Sequence, residues 1–239
     1  MLTKWWIQFF HNQPILKTNK MKKLIFVAFF LFAFSAVYAQ QAPQLYTLPS
    51  PFERYTHYLV TARLTGAVPL SSFSNNYIDK SSFQNYSISL EWVLRNSPLS
   101  LGGEIGTTYF EKRIPRALYE SGDETVSAVQ TRTLTQHPVQ FFANYHFLGK
   151  SSSIQPYVQL SGGASILDYT LYYGTLAQQK QKVAPTYGIG VGSKFLFKKD
   201  GKFGADVRVK YQGTSFKYDY IDKGISSVNA SVGLFYRWW

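Results

Sequence analysis

The sequence predicts an all-β fold: an eight-stranded antiparallel transmembrane β-barrel preceded by a cleaved signal peptide. Three observations carry that reading. Apolar and polar residues alternate through eight separate segments, the period of two that marks a strand with one apolar face. Aromatic residues reach 18% of the 239 residues while mean hydropathy is only −0.15, so the apolar content is interleaved with polar residues rather than gathered into the long blocks of a helical membrane bundle. The one long apolar block lies near the N-terminus, over residues 21–40.

That block organises the start of the chain. Lys22 and Lys23 precede an apolar run from Leu24 to Phe34, and Val37-Tyr38-Ala39 offers small residues at cleavage spacing, so residues 21–39 read as a secretory signal peptide. The run is shorter than the ~20 apolar residues of a membrane anchor. Residues 1–20 stand ahead of a signal that begins with its own Met21, and read as an extension from an upstream start codon. Residues 40–55 form a Pro-containing lead segment on the periplasmic side, and 56–239 form the barrel domain.

From Gln40 onward the chain holds 20 Lys+Arg against 13 Asp+Glu. These basic residues are scattered through alternating strands, so no nucleic-acid partner is expected. Outer-membrane lipids and lipopolysaccharide are the expected counter-charges. The absence of cysteine excludes disulfides, thiolate metal sites and a lipidated N-terminal Cys.

The eight segments run over 57–69, 86–95, 99–110, 132–147, 154–168, 185–197, 203–212 and 225–239, with no helix expected after the signal. In the second, Tyr86, Ile88, Leu90, Trp92 and Leu94 share one face, and Ser87, Ser89, Glu91 and Arg95 the other. The seventh sets Phe203, Ala205, Val207, Val209 and Tyr211 against Gly204, Asp206, Arg208, Lys210 and Gln212. Each apolar face is close to the ~9 to 11 residues that a tilted strand needs to cross a bilayer. The eighth carries Val228 to Trp238 on its apolar parity, and pairing it with the first segment closes the sheet so that no edge remains.

Connections alternate between short (96–98, 149–153, 199–201) and long, polar ones (70–85, 111–131, 169–184, 213–224). Short turns at one end and long loops at the other is the outer-membrane barrel pattern, with the long loops outward and both termini in the periplasm. One hairpin can be registered from its turn: a three-residue loop Lys199-Asp200-Gly201, with Gly201 in the left-handed region, pairs Phe197 with Phe203 and sets Lys194 opposite Asp206.

The polar face is rich in glycine, including Gly102, Gly106, Gly163, Gly188, Gly190, Gly192, Gly204 and Gly233, which suits a crowded lumen better than a solvated outer surface. The apolar face carries Tyr86, Tyr109, Tyr187 and Tyr211 at the loop ends, and Phe147, Phe197, Phe203, Tyr236 and Trp238 at the turn ends. Two aromatic bands flanking an aliphatic middle match the two interfaces of a bilayer.

At these residues the chain resembles the small eight-stranded outer-membrane barrels of Gram-negative bacteria, the family of the OmpA transmembrane domain, OmpX and OmpW. "SVGLFYRW" looks like that family's closing strand, with Trp238 in place of the usual terminal Phe and Trp239 one residue beyond it. "PYVQLSGGAS" and "YGIGVGSKF" look like its glycine-rich strands. The resemblance implies location in the cell outer membrane after export through the secretory pathway. It also implies recognition of the C-terminal strand by the barrel-assembly machinery.

No catalytic constellation is expected. The family's lipid A deacylases pair a His with a Ser two residues away; "HYL" (57), "HPV" (137) and "HFL" (146) have no such Ser. The three scattered histidines that follow the signal peptide, without Cys, give no metal-ligand spacing, and "GIGVG" is a strand with inward glycines rather than a phosphate loop. No cofactor is expected. The expected role is structural or surface-interacting, by a monomer, through four long outer loops bearing Phe73, Tyr77, Phe83, Tyr172 and Tyr173. The alternative is an OmpW-like narrow channel for small, mostly apolar molecules. Arg63, Glu91, Arg95, Glu104, Lys194, Asp206, Arg208, Lys210 and Arg237 share the inward face and are expected to form a lumen ion network, with Lys194 and Asp206 paired and Glu91 opposite either Glu104 or Gly106.

Overall fold

The computed structural model describes residues 50–239, apart from 122, 123, 151, 175, 219, 222 and 223. The N-terminal extension (1–20), the signal peptide (21–39) and most of the lead segment lie outside the described residues.

Eight antiparallel strands close on themselves: β1 (His57–Leu70), β2 (Ser82–Val93), β3 (Leu99–Ser121), β4 (Glu124–His146), β5 (Ile154–Tyr173), β6 (Leu176–Leu196), β7 (Phe203–Thr214) and β8 (Ile225–Trp238). Each pairs with its neighbours in the chain, and β8 returns to β1 from Tyr58↔Trp238 to Leu70↔Ser226, so the sheet has no edge around the barrel. Two short helices, α1 (Pro51–Arg54) and α2 (Ser71–Asn76), depart from the expectation of none. Pro51 starts α1 where its missing N–H costs nothing, and the Ser50 hydroxyl accepts the Phe52 N–H at 3.3 Å.

The strand boundaries correct the sequence reading at one end only. Residues 111–131 and 169–184 are not loops: β3 and β4 continue pairing up to Ser121↔Glu124, and β5 and β6 up to Tyr173↔Leu176. β7, β8, β1 and β2 are 6–11 residues shorter, at 12–14 residues against 20–23. A raised sheet of β3 to β6 therefore stands above the rest of the rim. Apart from Tyr169, Leu171 and Ala184 at its base, which are buried in the cap, the segment carries no sustained alternation to detect.

Outward positions form a belt of Leu, Ile, Val and aromatic side chains, among them Leu90, Leu101, Phe141, Leu160, Val191 and Leu234, all exposed. Ring residues border it as expected: Tyr86, Tyr187 and Tyr211 are exposed at the hairpin end with Tyr109 half-buried, and Phe147, Phe197 and Phe203 are exposed at the turn end. Tyr236 and Trp238 stack on each other at 5.8 Å, and Trp238 on Tyr58 at the same distance. A face this apolar is suited to hydrocarbon rather than water.

The hairpin between β6 and β7 has the expected register, Leu196↔Gly204 and Lys194↔Asp206, but the left-handed residue is Asp200 (φ 60°), not Gly201. Between β2 and β3 the register falls elsewhere than expected. Glu91 lies opposite Gly102 and Ser89 opposite Glu104, because the turn centres on Asn96-Ser97 with Asn96 at φ 54°.

Candidate functional site: the barrel lumen

β1 passes every layer of the interior on one face: His57, Leu59, Thr61, Arg63 and Ala67. At the level of Leu59, an apolar plug of Leu59, Val93, Leu196 and Phe235 closes the turn end. At the level of Ala67, a larger apolar cap closes the hairpin end. There Phe73 and Tyr77, delivered by α2, meet Phe110, Leu134, Leu167, Tyr169, Phe216 and Ile221. Tyr77 stacks on Tyr169 at 4.8 Å, and its hydroxyl donates to the carbonyls of Thr133 (3.0 Å) and Thr170 (3.2 Å), pinning α2 across the mouth. Phe73 and Tyr77 are thus cap residues, not the surface residues expected from their loop. Phe83 and Tyr172 are exposed, and Tyr173 packs against the cap.

Between plug and cap lie seven buried charges in two connected clusters. Glu91 is fully buried and takes Lys194 Nζ on both oxygens, at 2.7 and 2.6 Å. Ser100 Oγ at 2.5 Å, Asn144 Nδ2 at 3.0 Å and His146 Nε2 at 3.2 Å converge on the same carboxylate. The second cluster gathers around Glu104, which receives both terminal nitrogens of Arg208 in a bidentate pair and Lys210 Nζ at 3.0 Å. Arg63 joins the two carboxylates of this layer: its Nε donates to Asp206 at 2.6 Å, and its Nη1 lies 3.7 Å from Glu104. Tyr157 links the clusters, its hydroxyl donating to Asp206 at 2.9 Å while its ring lies 4.9 Å from Lys194 Nζ.

Of the nine charges expected in the network, the structure brings together Arg63, Glu91, Glu104, Lys194, Asp206, Arg208 and Lys210. Arg95 is not among them: it is exposed in the β2–β3 turn. Arg237 is buried but bonds carbonyl oxygens near the turn end, with its guanidinium 3.6 Å from the Phe52 ring centre. Lys194 and Asp206 are cross-strand neighbours as registered, yet each turns to a partner across the lumen. The two carboxylates that threatened each other, Glu91 and Glu104, sit diagonally and are each wrapped in separate cations, which removes the like-charge cost.

Sequence reasoning missed Ser89, Ser100, Gln140, Tyr157 and Gln159, all buried hydrogen-bond partners of the network. Strand parity was the available signal, since each sits on the inward face of its strand. The inward glycines also have a reason beyond making room for charge. A Cβ on Gly102, Gly192 or Gly204 would lie 2.4–2.6 Å from the rings of Phe142, Tyr157 and Phe235, so these rings lie flat across the backbone of the neighbouring strand.

Ser100, His146 and Glu91 touch one another, with Ser100 Oγ 3.0 Å from His146 Nε2. They do not form a relay, because the same His nitrogen faces both the hydroxyl and the carboxylate, and all three are buried.

No family model matches the chain, and no curated protein does. Among solved structures it is similar to Neisserial surface protein A, at 16% identity, covering 75% of this chain and 96% of that one with a TM-score of 0.48. It is similar to Ail of Yersinia pestis, solved with the heparin analogue sucrose octasulfate, at 12% identity, 77% and 99% coverage and a TM-score of 0.47. A third is the outer membrane protein OprG of Pseudomonas aeruginosa, at 11% identity, 78% and 97% coverage and a TM-score of 0.45.

Proposed function

We propose that this chain is an outer-membrane β-barrel of a Gram-negative bacterium, exported through the secretory pathway, that works as a structural or surface-interacting protein rather than as a channel or an enzyme. The turn end and both termini face the periplasm, and the raised sheet of β3 to β6 faces outward, where lipopolysaccharide and surface partners are met. Insertion uses the barrel-assembly machinery, which reads the β8 strand.

One observation carries the reading: the lumen is filled by a buried ion network and closed by apolar side chains at both ends. An eight-stranded barrel has an interior that side chains can fill. A small cavity beside Glu104, Arg208 and Lys210 measures about 20 Å³, scarcely more than one water needs. The raised sheet supplies a surface in place of a passage. The upper parts of β3 and β6 each have a backbone edge with no strand partner among the described residues, and Lys180, Gln181 and Lys182 stand exposed on the latter.

Single-channel recording of the refolded barrel in planar bilayers tests this. The expected result is no steady ionic current. Stable wild-type conductance would replace the plugged barrel with the narrow-channel reading. That alternative has one observation in its favour, an open pocket of about 770 Å³ lined by Asn75, Tyr187, Tyr211 and Ser226 at the hairpin-end rim of the belt.

A further inference from the structure

The turn end of the lumen gathers several basic side chains, of which Lys194 is paired with Glu91. A cavity of about 10 Å³ is lined there by His57, His146, Lys150, Gln155, Lys194 and Arg237. Lys194 is engaged by Glu91, and Lys150 Nζ donates to the Leu94 carbonyl. Arg237 is 1% exposed; its Nε donates to the Gly201 carbonyl at 2.7 Å and its Nη1 to the Lys150 carbonyl at 3.1 Å. Its Nη2 has no hydrogen-bond partner among the described residues, and neither has Nδ1 of His57, which is 3% exposed. The Phe52 ring, with His57 edge-on at 5.2 Å and Trp239 at 5.0 Å, covers this corner from outside.

The hydrogen bonds of this buried guanidinium go to carbonyl oxygens and its face lies on the Phe52 ring, so no carboxylate hydrogen-bonds it among the described residues, and its unpaired Nη2 adds a desolvation cost. The Arg237 Nη2 donor and the His57 Nδ1, a donor in the Nδ1–H tautomer, line one cavity, which is about the size of a single small guest. A water satisfies donors without neutralising charge, whereas an anion does both.

We propose that this cavity binds one halide-sized anion, chloride in the cell, held by Arg237 Nη2 and His57 Nδ1–H with Lys194 and Lys150 as surrounding positive charge. The ion ties the first residue of β1 to the end of β8, beneath α1. The site stands whether or not the barrel conducts, so it is independent of the functional reading above.

The test uses the full mature chain folded in detergent or nanodiscs. Its unfolding midpoint is measured by tryptophan fluorescence in sodium chloride, bromide and gluconate at equal ionic strength, and crystals are soaked in bromide. The site predicts a saturable rise of about 2–4 °C in either halide over gluconate, which is too large to enter. It also predicts an anomalous bromide peak within hydrogen-bond distance of Arg237. Arg237→Gln keeps a donor but removes the charge, and should abolish the halide dependence. Equal midpoints in halide and gluconate, or density without an anomalous signal, would mean water only and overturn the proposal. If Arg237→Gln does not fold, the two wild-type measurements decide alone.

Discussion

Lys194 grips both oxygens of Glu91, 103 residues earlier in the chain, although the residue directly opposite Lys194 in the sheet is Asp206. The pair forms across the lumen rather than along the sheet, and it sits at the centre of four further donors and contacts. Removing one member leaves the other charged, buried and alone. Glu91→Ala should therefore destabilise the barrel by about 3–5 kcal/mol, read as a lower temperature for loss of the heat-modifiable gel band. The double variant Glu91→Met, Lys194→Met should recover most of that loss, since a buried pair replaced by apolar residues is often neutral. A double variant no better than the single one would show that Glu91 acts chiefly through Ser100, Asn144 and His146.

The cap at the hairpin end is fastened by α2, so its loss should be local. Tyr77→Ala removes a stacked ring and two hydrogen bonds to β4 and β5. It should expose residues 71–85 to limited proteolysis while the strands stay protected. Loss of protection throughout the barrel would mean that the cap and the barrel unfold as one unit.

Close packing of rings on glycine makes a sharp contrast between inward Gly204 and outward Gly162. A Cβ at Gly204 would lie 2.4 Å from both the Phe235 ring and the Phe195 carbonyl, whereas one at Gly162 meets nothing within 4 Å. Gly204→Val should prevent folding, and Gly162→Val should fold and migrate as wild type on unheated gels. Folding of both would show that Phe235 can leave its place without cost.

The two C-terminal rings should separate in their effects. Trp238 stacks in the outer belt on Tyr58 and Tyr236, while Trp239, still exposed, packs edge-on against Phe52, with Lys202 Nζ 4.9 Å from its ring. Deleting Trp239 should leave outer-membrane assembly near normal but make α1 more accessible to protease. Deleting both should reduce assembly, measured as the folded fraction in the membrane.

Outside the belt, Lys112 Nζ donates to Asp79 at 2.9 Å, and that hydrogen bond holds the Asp79 carboxyl below its ordinary pKa. A depressed carboxylate contributes stability above its unfolded pKa and loses it as pH falls through the folded one. The pair is solvent-screened, so Lys112→Ala should shift stability at neutral pH by no more than ~0.5 kcal/mol. A loss comparable to that of Glu91→Ala would place this pair in a larger buttress of the raised sheet.

The belt, the strand order and the closing β8–β1 pair were legible because one face of every strand must be apolar, and a period of two records that in the sequence. Parity also placed eight of the nine charges inside, seven of them in the ion network. It failed where side chains leave their own strand: nothing local in "SKFLF" says that Lys194 prefers Glu91 to Asp206. It failed for Arg95, which lies exposed in the turn beyond the end of β2, and it gave Arg237 the right face but not its partners, which at the turn end are carbonyl oxygens. The tall β3–β4 and β5–β6 hairpins were illegible for the opposite reason, having no sustained alternation of apolar and polar residues above the cap.

The partners in the ion network lie far apart along the chain: Arg63 and Asp206 by 143 residues, Glu104 and Arg208 by 104, Glu91 and Lys194 by 103. Each joins the first half of the strand order to the second. No part-built sheet can satisfy these charges, because their partners arrive on strands that have yet to be added. An incomplete barrel thus carries open charges that hold its concave side in water, and they are buried only when β8 meets β1. A register that separated any of these partners would leave a buried charge without its counter-charge, so the network favours the ring closed in this register over a misaligned one.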